Sequence, residues 1–350
     1  MNEASLNKLR AHIKEKELDA VLITCNENRR YLSDFRGSDG YLLIGQDYQL
    51  LITDSRYTEQ AKNESPAYEI YELKGALASW FPKLIERFSI KRLGFEPGYV
   101  TFAFYDRLSE CTDCELVALG NFTDVLRSVK TPAEVESIRK AVKISDNAIT
   151  FVSETLHEGI TEKQLAWEIE RFMREAGSEI LPFDVIVAAG MNASLPHHIP
   201  SDKPIYQHEP IIIDIGARVD GYASDLTRTL CIGKMTPMLQ EVYQVVLDAQ
   251  LTAEKEIRSG MTGNEADAFA RDYIKKAGYG SNFGHALGHG IGLVCHEYPR
   301  VSQNSEDVLE EGMVFTVEPG IYLPKWGGVR IEDTVVLKNG KIEVLSQSAK

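Results

Sequence analysis

Four acids of the 350-residue chain, Asp214, Asp225, Glu318 and Glu332, together with an imidazole of the pair His285 and His289, form a constellation suited to hard divalent cations. Each sits in a pattern that buries or crowds it. Pro210-Ile-Ile-Ile-Asp214 reads as a buried strand ending in charge, and Asp220-Gly221, before Tyr222-Ala-Ser-Asp-Leu-Thr-Arg-Thr229, is a two-residue hairpin signal. A turn there sets Thr227 opposite Asp214 and Gly216 opposite Asp225, so the two carboxylates share a face as diagonal neighbours about 7 Å apart. Met313-Val-Phe-Thr-Val-Glu318 is an apolar strand ending in Glu-Pro-Gly, and Val329 to Val336 reads as one more strand with Arg330 and Glu332 on one face. Between these acids lies Phe283-Gly-His-Ala-Leu-Gly-His-Gly-Ile-Gly292. Its glycines let the backbone pass close to a crowded centre while His285 and His289 project into it. The full dinucleotide-binding spacing is missing and no acidic ribose reader follows, which argues against a nucleotide loop.

An isolated pair of aspartates is more often solvated or shares a proton, and a lone histidine is more often structural. Four carboxylates converging with one imidazole on buried strands change that balance, because buried charge is costly unless compensated. Oxygen donors with one nitrogen suit Mn²⁺, Co²⁺, Fe²⁺ or Zn²⁺ better than a thiolate site does. Four acids around a single divalent ion leave an excess of negative charge, whereas two ions balance it. Such a pair, about 3.5 to 4 Å apart, shares bridging carboxylates and holds a hydroxide that is nucleophilic at neutral pH.

The elements that must position these residues are legible as an internal repeat. Gly159-Ile-Thr-Glu-Lys-Gln164 and Gly260-Met-Thr-Gly-Asn-Glu265 are both capping boxes, and each leads through an amphipathic helix to Ala-Gly, at Ala176-Gly177 and Ala277-Gly278. Two similar halves follow, each with helices first (131 to 177, then 237 to 278) and strands after (183 to 231, then about 283 to 337). Side by side they bring their sheets together, with helices outside and a cleft between. Thr131-Pro-Ala-Glu134 opens this part as a third capping box with Pro132 at the first helical position. Before it, Leu6, Leu9, Ile13 and Leu18 lie at helical spacing, and Ala20 to Ile23, Tyr41 to Ile44 and Gln49 to Thr53 read as short buried strands. The expectation is a small N-terminal α/β domain over 1–122 and a catalytic domain over 123–350.

The net charge of −14 repels polyanions, so neither nucleic acid nor an anionic membrane surface is an expected partner. No apolar run approaches the roughly 20 residues that span a bilayer, and the N-terminus lacks a signal-peptide core. Five cysteines at irregular spacing fit reduced thiols. The expected location is therefore the cytoplasm. Cys111-x-x-Cys114 has no second ligand pair nearby to make a zinc or redox site of it.

The ordered motifs Asp214-x-Gly216, Asp225-x-Thr227-Arg-Thr229, Leu287-Gly-His289-Gly-Ile-Gly, Glu318-Pro-Gly-Ile-Tyr322 and Arg330-Ile-Glu332-Asp333 resemble the proline-specific branch of the pita-bread metallopeptidases, namely Xaa-Pro dipeptidase and Xaa-Pro aminopeptidase. The resemblance implies a pseudo-two-fold α/β (α+β) catalytic domain. It implies that Asp214 binds one metal, that Asp225 and Glu332 bridge two, and that His289 and Glu318 complete the sites, the ions being commonly manganese or cobalt. It further gives Glu318 a proton-shuttle role, makes His197 and His296 catalytic, and places His197, His285, His296 and Arg330 around the substrate. The implied substrate is a dipeptide or short peptide with proline second, and the implied assembly is a homodimer. One departure is that Pro196-His197 is followed by His198 where the family usually has glycine; position favours His197 as the imidazole that meets the substrate. Asp54 and Arg56, within Thr53-Asp-Ser-Arg-Tyr57, are either a surface ion pair or residues that reach a neighbouring subunit's site. Two alternatives stand beside this reading: a methionine aminopeptidase-like enzyme, which usually lacks a domain like 1–122, and a non-catalytic pita-bread binding protein, which would have lost several of the five ligands.

Overall fold

Helix signals and short apolar runs alternate along the chain, and the computed structural model, which describes residues 3–350, turns them into two compact units, one ending at Arg127 and one running from Ser128 to Lys350. The first contains α1 (Glu3–Glu15), β1 (Ala20–Ile23), α2 (Asn26–Ser33), β2 (Tyr41–Gly45), β3 (Gln49–Thr53), α3 (Thr58–Glu64), β4 (Glu69–Glu72), α4 (Leu77–Arg87), β5 (Arg92–Phe95), α5 (Phe102–Cys111) and β6 (Glu115–Ala118), with α6 (Phe122–Ser128) at its end. Its strands form one mixed sheet in the order β4-β3-β2-β1-β5-β6. The three apolar runs read from sequence are its first three strands, with all of β1 and most of β2 and β3 buried. Leu6, Leu9 and Ile13 form the buried face of α1. Leu18 does not continue that face. Glu17 adopts a left-handed φ of 53°, the helix stops, and Leu18 is buried in the turn toward β1.

The second unit is built twice over. Its first half has α7 (Pro132–Thr155), α8 (Glu162–Glu175), β7 (Ile186–Ala189), β8 (Ile211–Ile215), β9 (Arg218–Val219), β10 (Tyr222–Ala223) and β11 (Leu226–Leu230). Its second half has α9 (Pro237–Glu256), α10 (Gly263–Lys276), β12 (Gly288–Gly290), β13 (Glu297–Val301), β14 (Val314–Val317), β15 (Gly320–Leu323), β16 (Gly327–Arg330), β17 (Asp333–Lys338) and β18 (Lys341–Val344). All three capping boxes form: the hydroxyls of Thr131, Thr161 and Thr262 each accept from an amide three residues on, and their own amides donate back to the side chains of Glu134, Gln164 and Glu265. The repeated helices α8 and α10 are both 14 residues long, and Gly177 and Gly278 leave them at left-handed φ of 104° and 93°. These positions favour glycine because a Cβ is strained there.

In the first half α7 and α8 cover the sheet β11-β8-β7, packing Ile149, Leu165 and Ile169 onto Val187, Ile211 and Ile213. In the second half α9 and α10 cover β13-β12-β14-β17-β18 with Val242, Val246 and Ile274 against Phe315, Val317 and Val335. The halves meet where β11 runs beside residues 330–334. The amide of Glu332 donates to the Thr227 carbonyl (3.1 Å), and the Thr334 hydroxyl donates to the Asp225 carbonyl (2.8 Å). The run from Val329 to Val336 is therefore not the single strand expected. It pairs with β15 up to Arg330 and with β14 from Asp333, and the change of partner interrupts it at Ile331 and Glu332.

Candidate metal centre

The hairpin over Asp220-Gly221 places the first two acids. Both turn residues take positive φ, 49° and 78°, as a type I′ turn requires, and Thr227 pairs with Asp214 as the spacing predicts. From the second half, β12 brings His289 between β13 and β14. A methyl group on Gly288 would strike the Thr316 carbonyl, and one on Gly290 would strike that of Tyr298, so glycine is what lets this strand sit so close. Glu318 follows directly on β14, and Glu332 occupies the interruption between β16 and β17.

Ligand atoms of Asp225, His289 and Glu332 come within 4.8 Å of one another. The other two members lie beside them. Glu318 Oε1 is 3.3 Å from His289 Nε2 and accepts from the Thr316 hydroxyl (3.0 Å). Asp214 Oδ2 accepts from Arg330 Nη2 at 2.6 Å. The opposite oxygen, Asp214 Oδ1, and Glu332 Oε1 are buried without any donor from the protein. Burial pushes Asp225 and Glu332 well above the usual carboxylate range, and the charge of neighbouring acids pushes them further. Burial also raises Asp214, against the pull of Arg330. The His289 imidazole, disfavoured as a cation by burial, is nonetheless lifted to about 9 by Glu318, and Glu318 overcomes its own burial to fall to about 2 beside that imidazole. With two carboxylate oxygens orphaned and three acids pushed above their usual range, the donor set calls for added positive charge, and its oxygen-plus-imidazole chemistry fits divalent metal ions.

Residues 136–339 match the model of metallopeptidase family M24, and residues 6–129 match the creatinase/prolidase N-terminal domain. The chain belongs to metallopeptidase family M24. It is 44% identical over 346 residues to an uncharacterized peptidase of Bacillus subtilis, covering 99% of this chain and 98% of that protein. It is 40% identical over 344 residues to an Xaa-Pro dipeptidase of Pyrococcus horikoshii, covering 97% and 96%. Among solved structures, an Xaa-Pro dipeptidase from Bacillus anthracis superposes with a TM-score of 0.97 at 39% identity, covering 99% of this chain and 98% of that one. An X-Pro aminopeptidase from Thermotoga maritima superposes at 0.89 with 38% identity, covering 97% and 98%.

Around the centre of this M24 peptidase, the residues expected near substrate fall into two groups. His197 and His296 are exposed, and the His296 ring lies 4.0 Å from that of His289. His285 and Arg330 are instead held inside a network. His285 Nε2 is 2.9 Å from the Tyr322 hydroxyl, Arg330 Nη1 donates to that hydroxyl at 2.9 Å, and Arg330 Nε donates to the Thr227 hydroxyl at 3.1 Å. Thr227 in turn donates to Glu332 Oε2 at 2.7 Å. Sequence reasoning gave no role to Tyr322, Thr227, Thr316 or Cys295, whose thiol donates to Asp225 Oδ2 at 3.2 Å. The signal for Tyr322 was strand parity: it shares a face with Gly320, which pairs with Arg330, and a Cβ on Gly320 would crowd the tyrosine hydroxyl. Arg56 donates to Asp54 through both Nε and Nη2 on the surface of the first unit. All five cysteines are free thiols, and no helix among the described residues is long and apolar enough to cross a membrane.

Proposed function

We propose that this M24 peptidase is a dinuclear exopeptidase that hydrolyses the bond between an N-terminal residue and a following proline in dipeptides or short peptides. The observation that carries the reading is the convergence of Asp225, His289 and Glu332 within 4.8 Å, beside acids whose oxygens have no donor of their own. Asp214, Asp225, His289, Glu318 and Glu332 would hold two divalent ions, manganese or cobalt by family resemblance. Such ions supply Lewis acidity and make a water nucleophilic near neutral pH.

The remaining chemistry belongs to the chain. Glu318 accepts the proton of the attacking water and returns it to the departing ring nitrogen. The exposed imidazoles of His197 and His296 face the scissile carbonyl and stabilise charge that develops on its oxygen. Arg330, braced by Tyr322, holds Asp214 in place. The free amine of the substrate is drawn to the acidic cluster, which confines cleavage to the terminal residue. A bond before proline has no N–H to offer, so a pocket of acceptors and imidazoles that asks for no amide donor accommodates it.

Turnover of Ala-Pro and Ala-Pro-Ala against Ala-Ala, Met-Ala and N-acetylated Ala-Pro tests this reading. Rapid cleavage of the first two alone is expected. Equal rates on Ala-Ala leave the hydrolase standing and remove the proline assignment. Preference for Met-Ala favours a methionine aminopeptidase-like enzyme. The ratio of Ala-Pro to Ala-Pro-Ala separates a dipeptidase from an aminopeptidase.

A further inference from the structure

The segment after β7, residues 190–201, carries both adjacent histidines, and two side chains from elsewhere in the fold fasten it. One is Arg330, whose Nη1 donates to the Pro196 carbonyl at 3.3 Å while its Nη2 binds Asp214. The other is Glu162, the first residue of α8, whose side chain is fully buried. One oxygen of Glu162 accepts from the Ala189 amide (2.8 Å) and the Asn192 side chain (2.9 Å). The other meets His198 Nε2 (2.8 Å) and accepts from the Ser201 amide (3.0 Å) and hydroxyl (2.6 Å).

A glutamate at a helix start is ordinarily an exposed partner for the helix dipole. This one spends its hydrogen-bonding capacity on a single segment 27 to 39 residues downstream. Burial alone would raise its pKa, but the donors of Ser201, Ala189, Asn192 and His198 outweigh it and hold the carboxyl below its usual range. A buried, ionised carboxylate with full hydrogen bonding is a rigid anchor. His198 is thereby committed to Glu162. His197, between the two fastenings, is exposed and follows directly on Pro196, whose carbonyl Arg330 ties to Asp214.

We propose that Glu162 is a positioning residue for catalysis, with His198 as its clamp: together they fix residues 189–201 and so hold His197 in its aim. This rests on the Xaa-Pro reading above. It also accounts for the histidine at 198, which adds a ring contact to the anchor that glycine cannot make.

The test compares Glu162→Gln, His197→Ala, His198→Ala and the double variant Glu162→Gln/His197→Ala as metal-loaded proteins on Ala-Pro, with amide hydrogen exchange recorded before substrate is added. Glu162→Gln is expected to lower kcat/KM about ten- to hundredfold, the scale of a small misplacement, at wild-type metal content. The double variant should be no slower than His197→Ala, because Glu162 acts through His197. His198→Ala should lose less than His197→Ala, and exchange should quicken across 189–201 but not across 211–215. Additive losses, His198→Ala as damaging as His197→Ala, or unchanged exchange at 189–201 would each overturn the proposal. Should Glu162→Gln not fold, Ser201→Ala and His198→Ala carry the same exchange and turnover arms. A wild-type protein inactive on both proline peptides would remove the Xaa-Pro reading instead, and the exchange arm would still decide whether Glu162 clamps the segment.

Discussion

Asp225 is hemmed in by other acids, and its nearest protein donor is the Cys295 thiol, so its charge is bearable mainly through a cation. Asp225→Asn is expected to weaken metal binding at least about tenfold, whereas His296→Ala should keep its metal and lose rate because an imidazole no longer stabilises the carbonyl oxygen. Metal analysis of the two purified variants checks this, and equal metal loss in both would refute the division between ligand and substrate residue. The raised pKa values of Asp225, Glu332 and His289 add a sign. Protons held on these groups below their raised pKa values must leave when a cation enters, so affinity should fall as pH falls and binding should release protons. Calorimetry of Mn²⁺ binding in two buffers of different ionisation enthalpy measures that release directly. At this scale Asp214 and Glu318 stand out because charge at the end of an apolar strand is conspicuous, while Asp225, His289 and Glu332 are marked by the hairpin, the glycine run and the strand parity around them. Thr227 was not legible, because its partner Glu332 lies 105 residues away, whereas strand parity sets Tyr322 beside Arg330 only eight positions on.

Strands and helices place these side chains with differing margins for error. Thr161→Ala and Thr262→Ala each remove a cap and should cost about 1 kcal/mol. Because the two caps start α8 in one half and α10 in the other, the double variant should lose the sum, as urea unfolding monitored by circular dichroism will report. Gly288→Ala should be harsher, at about 1–3 kcal/mol or more, since the added methyl group meets a backbone carbonyl that cannot step aside. The caps, the Asp-Gly hairpin and its register were legible because each is a local device whose residues lie within a few positions of one another. The interruption at Ile331 and Glu332 was not. Nothing in the alternation of Val329 to Val336 marks it, because it is produced by β15 and β14 competing for different parts of one run. It leaves Glu332 off the ladder between β14 and β17, where its amide turns instead to the Thr227 carbonyl of the other half.

For the molecule as a whole, the proposed cation binding is coupled to folding. A divalent ion at 100 times its dissociation constant should stabilise the second unit by about 2.7 kcal/mol, and more with two sites, so chelation should lower the melting temperature and excess Mn²⁺ should restore it. A melting temperature indifferent to chelator would contradict the centre described here. The duplication of the second unit was visible in sequence because its start and stop signals repeat at a fixed interval, whereas the joining of the halves along β11 was not, being set by hydrogen bonds between residues about a hundred positions apart. That arrangement gives Asp214 and Asp225 to one half and His289, Glu318 and Glu332 to the other, with Gly233 at a left-handed φ of 77° in the short connection before α9. A backbone nick there would leave two fragments, neither holding all five proposed ligands, and a divalent ion would become the rivet between them: a protein whose reassembly from separate pieces could be titrated with metal.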